Sequence, residues 1–142
     1  MSDLKYYAYD GAGKYALETL GYNQAVRLPP NKDRVECSGQ GGWDPSSMEI
    51  PDDVDAQISQ AFSNVDLALR DAGVKDGFKQ VFSIKSYHVG PMDEAVFASM
   101  KKNMAPWLPS HKPIWTQLGV AALGLPAMKV EIDVVAIDGL RE

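Results

Sequence analysis

Arg34-Val35-Glu36-Cys37-Ser38-Gly39-Gln40-Gly41-Gly42-Trp43-Asp44 is the stretch on which the reading of this chain turns. Its first residues have strand character, and the run then breaks abruptly into glycines, so backbone is exposed at a strand end. Glycine carries no Cβ and lets another backbone or a ligand come close. Gly39, Gly41 and Gly42 beside Ser38 and Gln40 therefore suit a pocket floor, while a wide hairpin loop remains the plain alternative.

Upstream, the aromatic run from Leu4 to Tyr9 predicts a short strand, and Lys14 to Leu20 a single helical segment ending at Gly21. Tyr22 to Leu28 and Arg34 to Ser38 read as two strands joined through Pro29-Pro30-Asn31-Lys32-Asp33, which predicts an antiparallel hairpin. Downstream, Val54, Ile58, Phe62, Val65 and Leu69 recur at spacings of four, four, three and four, one face of a helix from Asp53 to Ala72. Asp52 or Asp53 can cap its start and Gly73 its end. Residues 79 to 89 turn to strand chemistry. A second helix follows from Met92 to Met104, with Met92, Val96, Met100 and Met104 on one stripe, acids in its first turn and lysines in its last. Pro106 ends it. Pro113 to Ala121 and Met128 to Ile137 finish the chain as strands joined through Leu123-Gly124-Leu125-Pro126. The order β-β-β-α-β-α-β-β describes an α+β layer with two helices packed on one face of a sheet.

The chain has 142 residues, 45% hydrophobic and 23% charged, which fits one compact domain over residues 1–142. A net charge of −5 with no basic cluster longer than Lys101-Lys102 argues against nucleic acid as a partner. One cysteine and two histidines give no metal-ligand spacing, so no metal is expected, and Gly39-Gln40-Gly41-Gly42 lacks the Gly-Lys-Ser/Thr of a phosphate loop. Met1 to Lys5 has no basic region followed by an apolar one, and no apolar run approaches the roughly 18 residues that span a bilayer. A cytoplasmic protein with no membrane partner is the expectation.

In the last segment, strand alternation puts Met128, Val130, Ile132 and Val134 on one face and Lys129, Glu131 and Asp133 on the other. Three charges side by side need water or a site, and the alternation alone leaves both open. Cys37 reads as a small core residue, and Trp43 and Trp107 as packing or interface aromatics.

Ser38-Gly39-Gln40 followed by a turn, an amphipathic helix carrying Ala56-Gln57 and Asn64-Val65, and the C-terminal Val130-Glu131-Ile132-Asp133 together resemble the reactive-intermediate deaminase (Rid, or YjgF) family, formerly called L-PSP endoribonucleases. The resemblance runs from about Tyr22 to Ile137. It implies a chorismate-mutase-like fold assembled as a trimeric barrel, with a small-molecule ligand in each cleft between subunits and no cofactor. It also implies hydrolysis of an enamine or imine to a carbonyl compound and ammonia. By family match Glu131 positions or activates the water, Ser38 and Gly39 orient water and substrate, and Tyr22 in Gly21-Tyr22-Asn23-Gln24-Ala25 is the pocket tyrosine, although a core aromatic is an equal reading. Asp133 reads as structural.

The sequence departs from the family in the strand Pro113-Ile114-Trp115-Thr116-Gln117-Leu118. Deaminase-active members carry there an arginine that grips the substrate carboxylate, and this chain has Trp115. Gln117 stands where a small residue or cysteine is usual, and Ala98 where a pocket asparagine is common. Losing a bidentate Arg–carboxylate pair, whose hydrogen bonds contribute about 1.5–3 kcal/mol each, shifts the expected preference away from 2-imino acids. The alternative is a trimer that binds or regulates through the same cleft without catalysis. The endoribonuclease activity of the old family name fits an acidic chain poorly.

Overall fold

The computed structural model describes residues 4–138. Met1 to Asp3, part of the N-terminal segment expected to carry no signal sequence, and residues 139–142 lie outside the described residues.

A five-stranded mixed sheet carries the fold. β3 (Arg34–Glu36), β4 (Gln40–Gly41), β5 (Val81–His88), β6 (Ile114–Gly119) and β7 (Val130–Ile137) form it, in the order β3-β7-β5-β6 with β4 also on β7. β5 runs antiparallel to β7 and parallel to β6. A separate two-stranded ribbon joins β1 (Lys5–Tyr7) to β2 (Ala25–Arg27). The expected hairpin between the second and third strands is therefore corrected: β2 pairs with β1, and β3 pairs with β7. The packing of the apolar side chains goes with this pairing: Val26 packs with Leu4, Tyr6, Phe82 and Ile137, whereas Val35 packs on the main core beside β7. The helical segment starts earlier than expected, as α1 (Ala12–Tyr15), and widens into a π turn over Ala16–Leu20. Gly21 closes it at φ +87°, with its N–H on the Ala16 carbonyl at 2.7 Å.

α2 (Val54–Asp71) and α3 (Glu94–Met104) cover one face of the sheet. Asp53 caps α2 by accepting from the Ala56 N–H at 2.9 Å, and Gly73 takes the left-handed conformation past its end. The predicted stripe packs as expected, with Ile58, Phe62, Val65 and Leu69 sealed against Ile84, Val130, Ile132 and Val134. Asp93 turns out to be the N-cap of α3, bonded to the Val96 N–H, so Met92 falls before the helix and is exposed; Met100 and Met104 carry its buried stripe.

Two buried amides on α2 fix loops to the helix. Asn64 donates to the carbonyls of Gly41 and Trp43, and Gln57 donates to those of Pro51 and Ala127 while accepting from the Lys129 N–H. A Cβ on Gly42 would stand 2.5 Å from the Gln57 backbone, so the glycine at that position lets strand and helix touch.

Candidate functional site

The opening stretch folds as an interrupted strand along β7. Arg34, Val35 and Glu36 face Ile137, Ala136 and Val135 one for one, and the Cys37 N–H bonds the Val134 carbonyl at 3.1 Å. Gln40 already faces Ile132, so Ser38 and Gly39 share the single place opposite Asp133. That extra residue is a β-bulge, which bends the strand and aims the Ser38-Gly39 backbone differently from its neighbours. The bulge lies beside Glu131. A Cβ built on Gly39 would stand 2.6 Å from the Glu131 Cδ and 2.9 Å from Oε2, so the carboxylate occupies the space a side chain would need.

Glu131, half-buried, belongs to the sheet face that the helices leave uncovered. Directly across from it on β5 stands Tyr87, whose hydroxyl donates to Asp133 Oδ2 at 2.8 Å. This bond to Asp133, then burial, then the charges of Asp133 and Glu131 push the Tyr87 hydroxyl pKa above its usual value. Burial and the Asp133 charge raise the Cys37 thiol likewise, which keeps it protonated and unreactive. Sequence reasoning gave Tyr87 no role, because its partner lies 46 residues away on another strand. The alternation of aromatic and polar residues from Val81 to His88 was the available signal.

Trp115 lies on the opposite, helix-covered face. It is 8% exposed, stacks on Phe97 of α3 at 5.7 Å and 20°, and meets the Tyr22 ring edge-on at 5.7 Å. Its indole Nε1–H donates to Ser86 Oγ at 3.0 Å, and the same hydroxyl lies 3.0 Å from His88 Nε2. Gln117, two residues on, faces the same way with a buried Oε1 that has no partner among the described residues. Of the six expected site residues, one chain thus brings together Glu131, Ser38 and Gly39 on one face, and Tyr22, Trp115 and Gln117 on the other. Ser38 is exposed, and its carbonyl accepts weakly from the Gln40 side chain at 3.3 Å. Among the described residues no group of three His, Cys, Asp or Glu side chains is placed to hold a metal ion, and no helix is long and apolar enough to cross a membrane.

The fold is that of known proteins. YyfB of the Rid family from Yersinia pestis superposes with a TM-score of 0.80 at 23% identity, over 94% of this chain and 98% of that one. RidA from the Antarctic bacterium Psychrobacter gives 0.64 at 28% identity over 93% of each chain. E. coli TdcF, solved with bound serine, gives 0.65 at 23% identity over 86% of this chain and 97% of its own. No curated protein sequence matches the chain. The profile of the endoribonuclease L-PSP family matches residues 14–138. Nearly the whole described chain, bulge and Glu131 included, falls within that match, and the protein belongs to the endoribonuclease L-PSP family, also called Rid or YjgF.

Proposed function

We propose that this protein is a cofactor-independent hydrolase of reactive imines or enamines, working as a homotrimer on neutral or aromatic substrates rather than 2-imino acids. Water adds to the C=N carbon to give a carbinolamine, and the nitrogen takes a proton and departs as ammonia, leaving the carbonyl. Glu131 orients the water and carries the proton, and the bulged backbone at Ser38 and Gly39 supplies donors to the developing charge. Because Glu131 lies on the sheet face that the helices leave uncovered while Trp115 is sealed beneath α3, the cleft in this reading is closed by a second copy of the chain set against the Glu131 face.

The observation that carries the substrate preference is the engagement of Trp115. Its only polar hydrogen is held by Ser86, and its ring is stacked and buried, so it offers a substrate carboxylate no cation and no free donor. The same filled position supports a second reading, a trimer that binds a small molecule without turning it over. Ammonia release above the spontaneous rate separates the two. On the hydrolase reading wild type accelerates release and Glu131→Gln does not, with light scattering giving the trimer mass for both. Equal rates for the two proteins, or a monomer, would remove the proposal.

A further inference from the structure

A cavity of about 360 Å³ opens where the N-terminal ends of α2 and α3 meet the end of β5, in the size range of small-molecule sites. Three kinds of group line it. Val54, Val89 and Val96 form apolar wall. Asp53 and Asp93 each use one carboxylate oxygen to cap a helix and have the other without a hydrogen bond among the described residues. Lys129 also lines the cavity and makes no ion pair among the described residues, while Oδ1 of Asp55 is held by Ser99, Asn103 and Lys102.

His88 supplies the fourth element. It is 2% exposed and forms part of the cavity wall. Burial pushes its imidazole pKa down to about 4, so the ring is neutral at pH 7. Indole can only donate, so Ser86 accepts from Trp115 and has its own hydrogen to give to His88 Nε2. With Nε2 accepting in this way, the imidazole hydrogen sits on Nδ1, a buried atom with no partner among the described residues. Such a donor calls for an acceptor.

We propose that this cavity binds a small zwitterion, an α-amino acid with a short aliphatic side chain. Its carboxylate meets the Lys129 ammonium and the His88 Nδ1–H, its ammonium meets the free oxygens of Asp53 and Asp93, and its side chain packs on the three valines. A plain anion would face three carboxylates, and a plain cation would face Lys129 and the two helix N-termini. A bound ligand also fixes the imidazole, and through Ser86 it reaches the Trp115 indole.

Methyl- and amide-detected NMR titrations of the assembled protein with L-valine, isobutyrate and isopropylamine test this. L-valine is expected to give saturable shifts at the Val54, Val89 and Val96 methyls and at the Trp115 indole N–H, with a Kd at least tenfold tighter than either singly charged analogue. Ala95→Phe, which fills the cavity from its rim, should abolish these shifts, and Lys129→Met should weaken binding at least tenfold. If Ala95→Phe loses its dispersed spectrum, Lys129→Met decides alone. Failure to saturate, equal or tighter binding of an analogue, shifts that survive the variants, or shifts confined to Gly39 and Glu131 each overturn the proposal.

Discussion

Replacing Gly39 by alanine asks whether the place of the Glu131 carboxylate matters, separately from whether the protein folds. Gly39 has no positive φ, so the backbone accepts a side chain there without strain. The new methyl would lie 2.6 Å from Glu131 Cδ where ordinary contact begins at 3.4 Å, so the carboxylate must retreat by about 0.8 Å. It is the end of a flexible, half-buried side chain, and its retreat should cost folding stability only about 0–1 kcal/mol. Catalysis is less forgiving: a misplacement of about 1 Å lowers rate by roughly 100-fold, or about 2.7 kcal/mol of barrier. Urea midpoints and kcat/KM for ammonia release, measured on the same preparation, give both quantities. A kcat/KM within about threefold of wild type, or a rate loss matched by an equal loss of stability, would refute the reasoning.

Trp115→Arg places a guanidinium among Phe97 and Tyr22 with Ser86 Oγ as the acceptor at hand, so stability should fall by about 3 kcal/mol or more. Turnover of 2-iminopropanoate should rise only in part, because Ala98 and Gln117 do not orient an arginine fork; full turnover at wild-type stability would contradict this. His88 takes up a proton near pH 6.5 when unfolded and near 4 when folded, so the unfolded state binds more protons between those values. Stability should therefore fall as pH drops through that window, by at most about 3 kcal/mol, with His111 adding the same sign. His88→Gln should flatten the urea midpoint against pH, and an unchanged slope would show that the histidine is not buried neutral. Asn64→Ala leaves the Gly41 and Trp43 carbonyls without their donor and should cost about 2–3 kcal/mol by urea unfolding; a loss below about 0.5 kcal/mol would show that the amide does not hold the loop.

Periodicity made the helices and the two faces of β7 legible, because Ile58, Phe62, Val65 and Leu69 and then Val130, Ile132 and Val134 repeat at the periods their elements impose. Strand pairing was not, since the prolines of residues 29–30 mark a turn without saying which strand lies beside which. The glycines did signal close approach. What they approach could not be read locally: Gly42 meets Gln57 on α2 and Gly39 meets Glu131 on β7, contacts made across the chain. Similarly, Trp115 was visible as a large aromatic in its strand, while its bond to Ser86 and stacking on Phe97 depend on the parallel pairing of β5 with β6 and on the placing of α3. The Ser86 and His88 side chains had no sequence signal beyond being polar at alternate positions of an apolar strand.

The most direct measurement compares ammonia release from two freshly generated imines, 2-iminopropanoate and a neutral aromatic imine, by wild type and Glu131→Ala. Accelerated release from the neutral imine is predicted, with kcat/KM at least tenfold above that for 2-iminopropanoate and reduced to the spontaneous rate in Glu131→Ala. Preference for 2-iminopropanoate, or turnover that persists without Glu131, would contradict it.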